Sequence, residues 1–311
     1  MATELELKLM LHPTCLDQAV RYLDAFCSQE GRGVRQPTMQ LMNAYYDTSE
    51  GLLMSSGIAL RVRSVNQRHI QTLKTRGVSR VGMHARGEWE WDVPHDALDF
   101  TLITADMLPS NLKQVPWQSN VDIVYRTDFE RHVWLINSPN AVIEAVCDRG
   151  DVVSPYGKDD ICEIEFELKQ GLEKDLYEMA LLMAHTVPLQ VCTVSKAQRG
   201  VRLKNPIIEL PDILPESASN TEQSVYWYEV WLTYWEAMIH RKEDALFNEV
   251  KHALQSLKCL VSNDFSQEIE SLLDVIDSTT EDDSPLYQQL PLQIQMGVCM
   301  LKIGHWLNSQ Q

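Results

Sequence analysis

Up to about residue 205 the chain is built of short runs in which charged and aliphatic residues alternate. On a strand that alternation places one residue type on each face. The spacing predicts strands near 3–11, 41–47, 57–65, 69–76, 86–93, 124–136, 141–148 and 161–169. Two stretches follow a helical period instead. Residues 14–27 open on Thr14 and carry Cys15, Ala19, Leu23 and Phe26; residues 172–185 follow Gly171 and carry Leu176, Met179, Leu182 and Met183. A last short element holds Ser195, Lys196, Arg199 and Gly200.

Pro206, Pro211 and Pro215 then interrupt the pattern, and residues 206–222 read as a linker. From residue 223 strand signals vanish, and helices are expected over 226–239, 243–260, 266–276 and 286–306, with a polar break at 277–284. The expected organisation is a strand-rich domain over 1–205, a linker over 206–222 and a small acidic helical domain over 223–311.

Composition narrows the function classes. A 311-residue chain with 44% hydrophobic residues supports a sizeable core, and a net charge of −17 disfavours a nucleic-acid or anionic-membrane binder. Charges begin at Glu4 with no apolar leader after them, and no apolar run is long enough to span a bilayer. The seven scattered cysteines include no C-x-x-C pair, which points to reduced thiols in a cytoplasm. The nine histidines show no metal-ligand spacing. Trp227, Trp231 and Trp235 recur at helical spacing among acidic residues, as a packing stripe does.

The charged faces of the strands carry the chemistry. Glu4, Glu6 and Lys8 alternate with Leu5, Leu7 and Leu9, and Glu163, Glu165 and Glu167 alternate with Ile164 and Phe166. Arg61 and Arg63 share one face, as do Arg86, Glu88 and Glu90, and as do Glu144 and Asp148; Lys74 ends its strand. A solvated face usually mixes such charges with Ser, Thr, Asn and Gln. If the sheet closes into a barrel, the aliphatic faces turn outward under helices and the charged faces line the lumen. Carboxylates there can hold hard cations, and Arg and Lys can hold phosphate oxygens. A polyanionic phosphate chain with its metal matches both.

These residues resemble those of the CYTH superfamily, the triphosphate tunnel metalloenzymes, whose E-x-E-x-K signature is matched by Glu4, Glu6 and Lys8. Further matches follow in order: Arg61-Val62-Arg63, Leu73-Lys74, Arg86-Gly87-Glu88-Trp89-Glu90, Arg131 with Trp134, Glu144 with Asp148, Glu163-Ile164-Glu165 and Ser195-Lys196. The likeness covers roughly residues 1–203 and is strongest to bacterial inorganic triphosphatases with a C-terminal helical CHAD domain. It implies an α+β fold: a closed, antiparallel eight-stranded barrel forming a tunnel, with flanking helices and a small all-α C-terminal part. It implies Glu4, Glu6, Asp148, Glu163 and Glu165 as ligands of Mg²⁺ or Mn²⁺. It assigns phosphate binding to Lys8, Arg61, Arg63, Lys74, Arg86, Arg131 and Lys196, and the catalytic set to Lys8, Glu4, Glu6 and Glu165. Glu88, Glu90, Glu144 and Glu167 face the same lumen by parity and could bind a second metal or orient water. Arg126 and Arg199 are possible further anion contacts.

The activity so implied is metal-dependent hydrolysis of inorganic tripolyphosphate, a small-molecule substrate. The same scaffold also serves nucleoside and thiamine triphosphatases, RNA 5′-triphosphatases and class IV-type adenylate cyclases. A non-catalytic polyphosphate-binding module is the alternative of another class, although extra carboxylates gain such a module nothing. The C-terminal part departs from a CHAD domain. From residue 212 it has 5 basic against 16 acidic residues and keeps only Ile239-His240-Arg241-Lys242 as an echo, so it reads as a packing or regulatory element, dispensable for chemistry and unable to bind polyphosphate.

Overall fold

The computed structural model describes residues 2–75, 78–279 and 284–310, and the side chains of residues 2, 3, 78–80 and 86 lie outside the described part. Its strands are β1 (Ala2–Met10), β2 (Gly33–Thr48), β3 (Ile58–Val65), β4 (Arg68–Thr75), β5 (Val78–Arg80), β6 (Met83–Val93), β7 (Val121–Asn137), β8 (Val142–Ser154), β9 (Gly157–Gln170) and β10 (Gln190–Val191). All described pairings are antiparallel, in the order β10-β1-β9-β8-β7-β2-β3-β4-β6-β5. Strand β1 meets β9 along one edge; along the other it meets β6 through residues 2–7 and β10 through Leu9 and Met10. The sheet therefore curls until the succession of strands comes back to β1.

The expected curled antiparallel sheet with helices outside it is present, and the strands differ from those predicted mainly in length. Strand β2 starts eight residues before the predicted 41, because its first half contains Pro37 and a register shift between Gln36 and Met39. A proline and a bulge interrupt both the alternation and the ladder, so the sequence pattern fades there. Strands β5 and β10, of three and two residues, are too short to produce a period. The β3–β4 connection is a two-residue turn in which Asn66 and Gln67 have φ of 47° and 63°. That left-handed pair matches the twist of the flanking strands.

Helices α1 (Leu16–Cys27), α2 (Leu52–Ser55), α3 (Glu173–Ala184) and α4 (Lys196–Lys204) belong to the strand-rich part. The helix predicted over 14–27 begins as a 3-10 turn at Pro13–Cys15, with His12 rather than Thr14 as its cap. The C-terminal helices are α5 (Asn220–Arg241), α6 (Phe247–Lys258), α7 (Asn263–Thr279), α8 (Leu286–Gln289) and α9 (Ile294–Ser309). Helix α5 starts inside the predicted linker because Ser219 and Glu222 form a reciprocal cap, Ser219 N–H donating to Glu222 Oε2 at 2.8 Å. The single helix expected over 286–306 is divided at a 3-10 turn containing Pro291, which has no N–H to continue an α-helix. Of the polar break at 277–284, residues 280–283 lie outside the described residues. Among the described residues no helix is long and apolar enough to cross a membrane.

The main core is continuous from sheet to tail. One cluster joins Leu7, Leu9, Ile164 and Phe166 from the sheet, Tyr177 and Met183 from α3, and Tyr228, Trp231, Trp235, Met300 and Leu307 from the C-terminal helices. Trp231 and Trp235 have no exposed surface, as the packing stripe required. Helix α9 approaches so closely that a Cβ on Gly297 would collide with the Leu189 carbonyl. Gln190 of β10 ties the sheet to the tail by donating to the Pro291 carbonyl at 2.9 Å, and within the tail Tyr228 joins α5 to α9 by donating to the Met300 carbonyl at 2.8 Å.

Candidate active site

Strand alternation and register assemble the site. With Leu7 and Leu9 turned outward into the core, Glu4, Glu6 and Lys8 point inward. On β9 the same rule turns Glu165, Glu167 and Lys169 inward. Register then sets cross-strand neighbours: Lys8 opposite Glu165, Glu6 opposite Glu167, Glu144 opposite Glu167, Arg131 opposite Asp148 and Lys74 opposite Glu88. Facing residues on adjacent strands lie within reach of each other. The result is a cavity of about 290 Å³ lined by Glu4, Glu6, Lys8, Tyr45, Ala59, Arg61, Arg63, Lys74, Glu88, Glu90, Arg131, Glu144, Val146, Glu165, Glu167, Lys169, Ser195, Lys196 and Ala197. Helix α4 contributes to this wall through Lys196 and Ala197, and Ala197 packs with Tyr45, Tyr125 and Phe129.

Positive and negative groups are interleaved on this wall. Lys8 bonds Glu165, and Lys74 Nζ lies 2.8 Å from Glu4 and 3.2 Å from Glu88. Arg131 grips Asp148 with two nitrogens at 2.8 and 2.7 Å and reaches Glu165 at 3.1 Å. Lys196 bonds Glu163 and lies 2.7 Å from Asp148 and 3.1 Å from Glu165. Burial opposes the charge on Glu165, but Lys196, Lys8 and Arg131 overcome it and hold the carboxyl well below its ordinary range. Burial likewise opposes the charge on Lys196, which Asp148, Glu163 and Glu165 then stabilise upward.

Arg63 is the exception. Among the described residues no ion pair involves it, and its Nε donates to the Asn43 side-chain oxygen at 2.8 Å. Burial first, and then the like charges of Arg61 and Arg131, push it down to about 9. It remains a guanidinium at neutral pH, but one whose charge the protein leaves largely unmatched. Arg61 is matched only loosely, at 3.7 Å from Glu88 and 3.6 Å from Glu90. An anion entering here meets two arginines not already saturated by carboxylates.

The expected site residues separate into two layers. Glu4, Glu6, Lys8, Arg61, Arg63, Lys74, Glu88, Glu90, Arg131, Glu144, Glu165, Glu167 and Lys196 line the cavity. Asp148 and Glu163 have no exposed surface and lie behind it, held by Arg131, Lys196 and Arg199. Arg86 stands on β6 opposite Glu4, but its side chain lies outside the described residues. Arg199 is a buried partner of Glu163 at 3.3 Å, and Arg126 is exposed outside the cavity. Sequence reasoning missed Tyr45, Ser195 and Lys169. Lys169 was legible from parity with Glu165 and Glu167; Tyr45 stacks on Tyr125 with centroids 4.8 Å apart and carried no signal.

Two carboxylate groups bear on a divalent cation. Asp148, Glu163 and Glu165 offer oxygens within 4.8 Å of one another, yet the Lys196 ammonium already sits on all three. The second group faces the cavity. Glu167 is pushed up by burial, and the charges of Glu4 and Glu144 add to that against a bond from Lys169. Among the described residues only the first group brings three carboxylate oxygens within 4.8 Å of one another, while Glu4, Glu6, Glu144 and Glu167 add negative charge to the cavity wall.

The CYTH domain family pattern matches residues 2–201. Over 208 residues the chain is 31% identical to an inorganic triphosphatase of Haemophilus influenzae, covering 65% of this chain and 55% of that protein. The chain thus spans about half the length of this curated relative. Solved structures overlap more loosely. One from Hippeastrum, named for adenylyl cyclase and a dominant triphosphatase activity, is 18% identical at a TM-score of 0.46, covering 70% of this chain and all of its own. Another, from Bacillus halodurans and named for adenylate cyclase, is 18% identical at a TM-score of 0.41, covering 64% and 98%. The helices beyond residue 201 lie outside the matched segment, and their likeness to a CHAD domain rests on the sequence reading alone. By its matched segment the chain belongs to the CYTH domain family.

Proposed function

We propose that the chain hydrolyses a terminal phosphate from inorganic tripolyphosphate, with a divalent cation, inside the curled sheet acting as a closed eight-stranded tunnel through its β1–β6 seam. The observation that carries this reading is the incompletely matched pair Arg61 and Arg63 facing a carboxylate wall in one small cavity. A pure anion binder gains nothing from the carboxylates, and a pure cation binder gains nothing from the arginines. A metal-bound phosphate chain uses both. The chain-length match to only about half of its relative leaves the rest of that protein's role outside this proposal.

Arg61, Arg63, Lys74, Arg131, Lys8 and Lys196 grip phosphate oxygens and set the chain in line, which is most of what phosphoryl transfer requires. Glu4 and Glu6, with Glu144 and Glu167 beside them, hold Mg²⁺ or Mn²⁺. That ion supplies charge neutralisation at the phosphate oxygens when bound. Asp148 and Glu163 act behind the wall by fixing Lys196 and Arg131. The nucleophile is water, since Ser195 Oγ is occupied with Gln198, donating to its Oε1 at 2.9 Å and accepting its N–H at 3.3 Å. Glu88 and Glu90 orient that water. Phosphate release from tripolyphosphate, ATP and thiamine triphosphate, with Mg²⁺ or Mn²⁺ and with EDTA, tests the proposal. Faster turnover of ATP than of tripolyphosphate overturns the substrate; undiminished turnover in EDTA overturns the metal; tight binding without turnover leaves a binding module.

A further inference from the structure

Helix α4 carries three cations at i, i+3 and i+6: Lys196, Arg199 and Arg202. That spacing keeps them along one side of the helix. Carboxylates fill the gaps between them. Glu163 joins Lys196 to Arg199, whose nitrogen lies 3.3 Å away. Asp159 follows, 3.9 Å from Arg199 and 2.9 Å from Arg202. Arg202 then reaches Glu236 of α5 at 3.1 Å, and His240 of the same helix lies 3.4 Å from Asp159. Charges therefore alternate without a break from a lysine in the cavity wall to a helix outside the matched CYTH segment.

We propose that Glu236, supported by His240, is a positioning residue for the tunnel: it sets how firmly Lys196 is held against the wall rather than released to phosphate. This rests on the functional reading above. Glu236 is 3% exposed, and its Oε2 has no hydrogen-bond partner among the described residues, so its carboxylate leans on Arg202. A buried carboxylate of that kind costs free energy unless a cation compensates it. The alternation also fixes a direction. With the Glu236 charge gone, Asp159 turns more fully to Arg202 and less to Arg199. Arg199 then takes a larger share of Glu163, and Glu163 holds Lys196 less. Helix α5 thus acts on the cavity through charge order, without touching substrate.

The test is a double-mutant cycle on the full chain, read as metal-free tripolyphosphate binding by calorimetry and as KM with metal. Glu236→Gln keeps volume and removes charge. It should raise tripolyphosphate affinity on the order of threefold in the unaltered background and have no effect when Lys196→Gln is already present. Glu236→Asp keeps the charge and should show only part of that gain, which a role in packing alone would not produce. Should Glu236→Gln fail to fold, His240→Gln perturbs the same Asp159 from a half-buried position and must show the same dependence on Lys196. Equal effects of either variant with and without Lys196 overturn the proposal while leaving the triphosphatase reading intact. Absence of tripolyphosphate binding by the unaltered protein both without and with metal overturns both.

Discussion

Leu7 and Leu9 of β1 have no exposed surface, and Glu6 and Lys8 between them are almost as enclosed, at 6% and 3%. The two pairs nevertheless live under different rules. The leucines pack into the core beneath α3 and the C-terminal helices, where close contact and removal from water are the gain. The charged pair faces a cavity in which Glu88 and Glu165 are each shared between cations while Arg61 and Arg63 are left short. The outer face of the sheet holds the protein together; the inner face is kept short of electrostatic satisfaction so that a charged ligand can complete it. Mutations on the two faces should therefore part stability from activity in opposite senses.

The largest effect is expected from the outer face. A fragment ending near Leu210 would strip the cover from Tyr177, Leu189 and Phe166, which share their cluster with Trp231, Trp235 and Leu307. It should aggregate or unfold, whereas the sequence alone suggested a dispensable tail. Within the full chain, Trp231→Ala removes a side chain with no exposed surface and should cost about 3–5 kcal/mol in urea unfolding, with normal turnover in the folded fraction. A soluble, active fragment would mean that the sheet and the tail keep separate cores.

Next come the inner carboxylates. Glu4→Gln should lose turnover by roughly a hundredfold or more while the melting temperature holds, since it removes a metal-side charge from a crowded wall. Equal loss of fold and activity would place Glu4 with the structural residues instead. Arg63→Met should raise KM by about tenfold and leave stability unchanged or slightly higher, because it relieves the repulsion from Arg61 and Arg131. A fall in stability comparable to that of Trp231→Ala would show that Arg63 serves the fold.

How much of this was legible in the chain follows the same division. Period-two alternation reveals which residues face inward, and the motif order gives their grouping, so most of the cavity wall is legible in the sequence. What alternation cannot give is depth. Asp148 and Glu163 have the same parity as Glu144 and Glu165, yet they lie behind Lys196, a residue delivered by α4 from outside the ladder. Tyr45 was hidden because an aromatic in an apolar run reads as core. The join between Glu236 and Arg202 depends on where α5 docks, a long-range fact that no local period encodes.

The smallest effect sharpens the comparison most, because its sign should depend on the ligand. Glu167 has its carboxyl pushed above the ordinary 4.5 by burial, with Glu4 and Glu144 adding to it. A carboxyl raised in the folded state binds its proton more tightly there than in the unfolded chain, so its ionisation opposes folding as pH rises from 4.5 through the folded value. In metal-free protein at pH 7, Glu167→Gln should therefore raise the melting temperature by no more than about 2 °C, since the site is partly open to water. Below pH 4.5 the gain should vanish, both states being protonated. With saturating Mn²⁺ the order should reverse: the unaltered protein gains binding free energy from the ion and the variant gains less. A variant that is less stable than the parent without metal at pH 7 would show that Glu167 is satisfied by Lys169 alone. A variant stabilised equally with and without Mn²⁺ would remove Glu167 from the metal's surroundings.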